Sequence, residues 1–172
     1  QRVGVRDKIT FYDKLHFVRP DGEVDTLKGN RLPPPVHLLG SLLTFGGLEL
    51  MDKRSILGAL WAMHRERNRL DLDSFTIGDW LAIHGATAKA VEHFWRPILV
   101  SALNEEPGRA SARPAFHVVL ESLMKDRLGY QIGVPSVPLR ELYSSLLASR
   151  TNKNIRFCLR SSINHINPTD RS

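Results

Sequence analysis

The residues best suited to chemistry follow one apolar helix. Asn104, Glu105 and Glu106 come directly after its last apolar residue, and Pro107-Gly108 closes the segment. An amide beside a carboxylate can hold a polar substrate group or move a proton. Glu105 and Glu106 are neighbours, so on a helix their side chains point about 100° apart and cannot form a two-carboxylate catalytic pair by themselves.

Hydrophobic periodicity predicts the helix that positions these groups. Its apolar residues follow the i, i+3, i+4, i+7 spacing of a wide buried face. They are Val91, Phe94, Trp95, Ile98, Leu99, Ala102 and Leu103. Pro97 lies inside this run, where it removes one backbone hydrogen bond and predicts a kink. Two interpretations stay open: the helix is one wall of a ligand cavity, or it is a core helix with a polar C-terminal cap.

Motifs that would name a chemistry directly are missing from the sequence. It has no G-x-G-x-x-G, no Walker A loop, no G-x-S-x-G and no H-E-x-x-H. The single cysteine, Cys158, can form neither an internal disulfide nor a paired-cysteine metal site. No metal site is predicted.

The charge leaves a second class of function open. The chain has 172 residues, 42% of them hydrophobic, and a formal net charge of +6, which favours nucleic acid or anionic lipid as a partner. Arg65, Arg67 and Arg69 cluster where a helix is predicted to end, and the helix dipole alone accounts for them. The alternatives are therefore a basic helical module that binds nucleic acid and a structural interaction domain.

Patterning along the chain predicts an α+β fold. Residues 9–28 alternate as a hairpin around the turn Arg19-Pro20-Asp21-Gly22. Helices are expected at 36–45, which is very apolar, and at 50–69. Others begin near Thr76, ending at His84-Gly85, and near Thr87, and a further helix runs to Lys125. The last expected elements are a helix over 139–149 and a strand at 155–159.

The ends of the chain suggest a piece of a longer protein. It begins with Gln1 and leads almost at once into a predicted strand. No apolar run is long enough to span a bilayer, and no signal peptide is visible. We therefore expect an internal fragment with a cytoplasmic location.

Four segments in this order resemble the squalene-associated FAD-dependent desaturases, the hydroxysqualene dehydroxylases of the flavin amine oxidase and phytoene desaturase superfamily. The segments are LPPPVHLLGSLL from Leu32, FWRPILVSALNEE from Phe94, RASAR from Arg109 and GVPSVPLRELY from Gly133. The second segment is the most specific. The resemblance covers nearly the whole chain.

The resemblance implies a domain organisation. Residues 1–145 would form a substrate-binding domain, a β-hairpin or sheet with a mostly helical cap. Residues 146–172 would begin the return into an FAD-binding domain that this chain lacks. The main FAD motifs are absent, and the one implied cofactor contact is the backbone of Ile163.

The resemblance also implies an activity. The full-length enzyme would remove the hydroxyl group of hydroxysqualene reductively to give squalene, with hydride from reduced FAD, while the fragment alone would be inactive. Phe94, Trp95, Asn104 and Arg113 would bind the isoprenoid, and Glu105 would be the proton donor, which requires a pKa raised by apolar burial. Helix 36–45 would touch the inner face of the membrane. No nucleic-acid partner is expected under this interpretation.

Overall fold

The protein has an α+β fold in which helices predominate and two small antiparallel sheets have two strands each. A computed structural model describes residues 6–142. Phe11–Val134 form one compact unit, and residues 6–10 and 135–142 belong to another. The predicted helix over 139–149 begins within the described residues, whereas the predicted strand at 155–159 and the domain boundary at residue 145 lie outside them.

The predicted hairpin consists of β2 (Leu15–Val18) and β3 (Val24–Leu27), which pair antiparallel. Its turn is built as its residue types predict. Gly22 takes a left-handed φ of 86°, and its N–H donates to the carbonyl of Arg19 at 2.9 Å. The buried residues of β3, Asp25 and Leu27, alternate with more exposed ones, so this hairpin has one face on the core.

A single strand from Ile9 to Val18 is not formed. The chain breaks at Asp13 and Lys14, and the first part becomes β1 (Ile9–Tyr12), which pairs with β4 (Ile132–Pro135) rather than with the hairpin. The prediction of one hairpin over residues 9–28 is therefore wrong in its first strand. A pairing between strands more than a hundred residues apart leaves no local signal in the sequence.

The apolar segment expected at 36–45 contains a 3-10 turn (Val36–Leu38) and α1 (Leu39–Thr44). Its apolar face packs inward, because Leu38, Leu42 and Phe45 are buried while Val36 and Leu43 stay exposed. The long helix that follows is α2 (Leu50–Arg65), which ends about one turn before the expected residue 69. Arg67 closes that end by donating to the carbonyl of His64 at 3.0 Å.

Two predicted helix starts are confirmed at the level of the cap. In α3 (Ile77–Ile83), the Thr76 hydroxyl accepts the N–H of Asp79 at 3.1 Å. In α4 (Ala88–Ala90), the Thr87 hydroxyl accepts the N–H of Ala90 at 3.1 Å. Gly85, just beyond α3, has the left-handed φ of 72° expected of a helix-ending glycine.

A π-helical segment accommodates Pro97. The helix that begins with α4 widens at Val91–Trp95 and then continues as α5 (Arg96–Leu103). The N–H of Arg96 donates to the carbonyl of Val91, five residues back. A proline cannot donate to the residue four positions earlier, and its ring needs room there, so a wider turn just before it relieves both problems. α6 (Ala112–Val119) likewise runs into a π-helical segment, Leu120–Lys125.

The core lies between the hairpin and these helices. Its largest fully buried side chains come from β3, from α2, α3, α5 and α6, and from the short segments between elements; they are Trp80, Trp95, Phe45, Leu27, Ile56, Met63, Leu72, Ile77, Leu81, Leu99, His37 and Val119. Aromatic rings dominate its centre, where Trp80 meets Phe116 edge-to-face with ring centroids 4.9 Å apart. The helix expected from Val91 is thus a core helix over its apolar face.

Candidate functional site

A cavity lined by apolar side chains lies beside α1 and α2. We call it the apolar cavity; it is lined by Leu27, Pro35, Val36, Leu38, Leu39, Leu42, Leu57, Leu60, Trp61, Phe94, Leu123 and Met124. Its volume is about 140 Å³. An engineered cavity of about 150 Å³ lined by Leu, Ile and Phe stays dry and takes up benzene, so this space suits one small hydrocarbon group and not a whole triterpene.

Phe94 is the predicted substrate-binding residue that reaches this cavity. It is 2% exposed and lies at the centre of a ring cluster. Its ring centroid is 6.2 Å from that of Phe17, 6.4 Å from that of Phe45 and 5.2 Å from that of Trp95. Phe94 therefore both lines the cavity and holds the hairpin, the end of α1 and the π-helical turn together.

Asn104 and Glu105 lie at the opposite end of the same helix from Phe94. Ten residues of helix separate Phe94 from Asn104, which is about 15 Å along the axis. Asn104 is exposed and ends α5 with a left-handed φ of 53°. The Glu105 carboxylate is 36% exposed and forms an ion pair with Arg109 at 3.3 Å. The structure therefore does not bring these two residues to the apolar cavity, and it does not give Glu105 an apolar surrounding.

The other predicted site residues are also apart from the cavity. Arg113 is exposed near the start of α6, where it bonds the carboxylate of Asp73 and donates to the carbonyl of Leu70 at 2.6 Å. Its hydrogen bond holds the pKa of Asp73 below the ordinary range. Trp95 is fully buried, and its indole N–H has no hydrogen-bond partner among the described residues. Ile163 lies outside the residues that the structure describes.

A larger cleft follows the other half of this helix. We call it the polar cleft; its volume is about 690 Å³, and it lies between β2, the helix around Pro97 and the segment leading into β4. Glu92, His93 and Arg96 line it together with apolar side chains such as Phe17 and Ile98. Charged and polar side chains from β2 and from the α6 side, among them Arg19, Asp25 and Ser122, also line it. A concave site of this size that combines apolar and polar side chains can hold a small molecule.

His93 is the functional candidate that sequence reasoning missed. It is half-buried, lines the polar cleft and has no hydrogen bond or ion pair among residues 6–142. By contrast, the Arg96 guanidinium bonds the Glu106 carboxylate through two contacts of 2.8 Å and pairs with Glu92 at 3.3 Å. The hydrogen bonds from Arg96 lower the pKa of Glu106. No local pattern in the sequence singles out His93, because its place in the cleft depends on the hairpin and on the segment that leads into β4.

Several basic residues form ion pairs in the part of the chain that the structure describes. A third cleft of about 460 Å³ is lined by Arg67, Arg113 and Lys125 with His64 and His117. Lys125 forms an ion pair with Glu121 at 2.7 Å, Arg113 is held by Asp73, and Arg67 caps α2. Lys125 and Arg113 are therefore each balanced by a carboxylate, whereas Arg67 has no carboxylate partner among the described residues.

Buried His37 has an unusual environment. It is fully buried, and neither ring nitrogen has a hydrogen-bond partner among the described residues; the Pro35 backbone is close but not in hydrogen-bond geometry. Burial, reinforced by the charge of Arg127, lowers its pKa, and Pro35 and Asp126 act in the opposite direction. His37 packs near the Tyr130 ring, with 6.1 Å between the ring centroids.

Metal-ligand clusters and membrane-spanning helices are both absent from the described part of the chain. No group of three or more His, Cys, Asp or Glu side chains among residues 6–142 is arranged to hold a metal ion. None of the helices described has the length and hydropathy needed to cross a bilayer.

Comparison with known proteins does not assign a family. Neither protein-family models nor curated protein sequences gave a match to this chain. The fold and the site therefore define an α+β protein with an apolar cavity and a neighbouring polar cleft.

Proposed function

We propose that this chain is the substrate-binding part of an FAD-dependent oxidoreductase that acts on hydroxysqualene or a related isoprenoid. The observation that carries the proposal is the apolar cavity, which has twelve apolar side chains and no polar one in its lining. At about 25 cal/mol per Å² of apolar surface buried, even one branched hydrocarbon end gains useful binding energy there. The resemblance of the segments around Phe94 and Gly133 supplies the reaction class, the reductive removal of a hydroxyl group.

The polar cleft supports the same proposal. A substrate that is almost wholly hydrocarbon needs polar groups at one point only, where its hydroxyl group lies. Glu92, His93 and Arg96 offer such a point, and Phe94 belongs to the same turn as these three residues and lines the apolar cavity. We propose that the cavity holds one chain end and that the cleft holds the hydroxyl-bearing part.

Residues 6–142 do not fit FAD. A flavin pyrophosphate needs a glycine-rich turn between a strand and a helix N-terminus. In the described residues, the helices capped by Thr76, Thr87 and Ser111 follow loops and other helices, not strands. The proposal therefore assigns the cofactor to other parts of the protein, and no catalytic step is derived through it.

The binding half of the proposal can be tested on this chain with a short isoprenoid alcohol such as geraniol. A ligand that binds only the native state raises its stability, by about 2.7 kcal/mol at a concentration one hundred times Kd. Leu60→Phe, which fills the apolar cavity, should reduce this stabilisation strongly. Leu120→Phe, a partly buried position outside the cavity lining, is the matched control. Equal stabilisation of both variants would contradict the proposed site.

The catalytic half is tested in the complete enzyme. Glu105→Gln keeps the shape of the side chain and removes its acidity. His93→Gln removes the titratable imidazole at the polar cleft and keeps a polar side chain of similar length. Turnover near wild type in the Glu105 variant would remove Glu105 as the proton donor. A selective loss in the His93 variant, with substrate binding retained, would move the acid role to the polar cleft.

A further inference from the structure

The outward face of α2 combines large apolar side chains with arginines and carries no carboxylate. Leu50, Met51, Leu57 and Trp61 are 77%, 69%, 39% and 64% exposed. Arg54 and Arg65 lie on the same side, because at about 100° per residue all six fall within an arc of about 120°. We call these six residues the α2 face. The acidic residue within α2 is Asp52, which is buried at the opposite side of the helix.

The two arginines of the α2 face are free to meet an outside partner. Neither Arg54 nor Arg65 forms an ion pair or a side-chain hydrogen bond with any of residues 6–142. Other arginines of the described chain are paired with carboxylates, for example Arg69 with Glu66 and Arg96 with Glu106. Arg54 and Arg65 therefore belong to the cations that have no carboxylate partner among the described residues, and these two lie among exposed apolar side chains.

The rim of the apolar cavity belongs to the same surface. Leu57 and Trp61 are residues of the α2 face and also line the cavity, as does Val36, which is 41% exposed. A hydrocarbon lying against the α2 face would therefore meet the cavity without crossing polar surface.

We infer that the α2 face docks on an anionic lipid bilayer and that, if the proposed isoprenoid function holds, the hydrocarbon passes from the bilayer into the apolar cavity. Leucine, methionine and tryptophan side chains insert at the boundary between headgroups and acyl chains. Arginine stems lie along such a surface while the guanidinium groups reach the lipid phosphates.

Two other partners fit this face less well. A symmetric dimer through the α2 face would bring Arg54 and Arg65 of two copies together with no carboxylate between them, and like charges oppose such an interface. Nucleic acid would satisfy the arginines but would leave four large apolar side chains against phosphates and water.

Cosedimentation with vesicles tests the docking. The chain is mixed, without isoprenoid, with vesicles of phosphatidylcholine alone or of phosphatidylcholine with phosphatidylglycerol. We expect binding to the anionic vesicles that weakens as salt is added, because screening shortens the reach of surface charges. Arg54→Gln and Arg65→Gln should each lower the affinity about fivefold. Arg109→Gln, an exposed arginine on the α5–α6 connection, is the matched control and should bind as wild type does.

The apolar half of the face has its own variants and readout. Leu50→Ser should weaken vesicle binding, whereas Ile83→Ser, equally exposed at 76% on α3, should not. Trp80 and Trp95 are buried, so Trp61 is the exposed tryptophan of the three in the chain. Its emission should shift to the blue when anionic vesicles are added, and Trp61→Phe should abolish that shift.

Several outcomes would overturn the docking. They are no binding to anionic vesicles, equal binding of the Arg54→Gln, Leu50→Ser and control variants, or a dimer in solution that Leu50→Ser disrupts. Salt-sensitive binding to a DNA duplex that is lost in Arg54→Gln and unchanged in Leu50→Ser would also overturn it. Stabilisation by geraniol without vesicle binding would reject the docking and keep the proposed function. Vesicle binding without stabilisation by geraniol would keep the docking and contradict the proposed function.

Discussion

The Thr87 hydroxyl donates a 2.6 Å hydrogen bond to the buried carboxylate of Asp52, 35 residues earlier in the chain. The other oxygen of Asp52 accepts the N–H of Glu49 at 2.8 Å, at the start of α2. The same Thr87 hydroxyl accepts the N–H of Ala90 and so caps α4. The Asp52–Thr87 contact therefore joins the first turn of α2 to the first turn of α4, which begins the helix that contains Phe94.

Asp52→Asn should destabilise the fold. Each carboxylate oxygen of Asp52 accepts one hydrogen bond, from the Thr87 hydroxyl and from the Glu49 N–H, whereas an amide has only one acceptor oxygen. Buried hydrogen bonds to charged groups contribute about 1.5–3 kcal/mol, and a loss of that size is expected in the free energy of unfolding measured with urea. Asp71→Asn is the control, since that carboxylate is exposed and bonded to Arg69. If Asp52→Asn lowered the free energy of unfolding no more than Asp71→Asn does, the stabilising role of the Asp52–Thr87 contact would be contradicted.

Acidification should remove the contribution of Asp52. The hydrogen bond from Thr87, against the opposing effect of burial, holds the pKa of Asp52 below its ordinary value. The folded state thus binds this proton less readily than the unfolded state, so the stabilisation is complete above about pH 4 and is lost as the pH falls through the lowered folded pKa. Thermal unfolding below pH 4 should accordingly decline more steeply in wild type than in Thr87→Val, and parallel curves would contradict this assignment.

His37 should make stability depend on pH in a different window. Because burial lowers its pKa in the folded state, the unfolded state takes up this proton first as the pH falls below about 6.5. Stability is therefore full above that pH and falls as the pH decreases toward the folded pKa. His37→Leu should flatten this part of the unfolding curve, and it removes two buried nitrogens that lack partners among the described residues. An unchanged slope between neutral pH and pH 5 would show that another group titrates there.

Phe94→Ala should be among the most damaging single changes in the chain. Truncating a fully buried aromatic ring typically costs about 3–5 kcal/mol, and this ring contacts the rings of Phe17, Phe45 and Trp95. Phe11→Ala, at a position 50% exposed, should cost much less. Chemical denaturation of both variants measures the difference in the free energy of unfolding. Similar losses in both variants would contradict the central position of Phe94 in the core.

Two glycines should respond to alanine in opposite directions. A Cβ at Gly58 on α2 meets no atom within 4 Å, so Gly58→Ala should stabilise the helix by about 0.5–1 kcal/mol. A Cβ at Gly129 would lie 2.7 Å from the backbone oxygen of Ser122, so Gly129→Ala should destabilise by about 1–3 kcal/mol. The two unfolding midpoints should move apart, and a shift of both in the same direction would contradict the packing around Gly129.

Local signals predicted the parts of the fold that depend on a few neighbouring residues. Thr76 and Thr87 cap helices, Gly22 forms the turn, and Gly85 ends α3, all as their types and positions indicate. Each of these features is decided within about four residues, where backbone conformation and one side-chain hydrogen bond dominate. The α+β class followed from the same kind of pattern.

The candidate site was less predictable. The sequence indicated that the helix around Phe94 has an apolar face and a polar end, but not which of its groups would reach a cavity. Pro97 predicted a kink in the helix. The sequence did not predict that the helix would instead widen into the π-helical segment that places Glu92 and His93 in the polar cleft. The roles of Glu105 and Arg113 were expected from the resemblance. The ion pair of Glu105 with Arg109 is local, four residues apart, whereas that of Arg113 with Asp73 joins segments 40 residues apart.

The sequence by itself indicated where most helices lie, the caps at Thr76 and Thr87, the β2–β3 turn and the apolar character of the segments at 36–45 and 91–103. Tertiary structure alone decided that β1 pairs with β4, that Asp52 meets Thr87, and that α2 exposes Leu50, Met51 and Trp61 while Leu38, Leu42 and Phe45 of the more apolar segment before it are buried. The physical reason is that periodicity states how apolar a face is, whereas packing decides which of several apolar faces the limited core can cover.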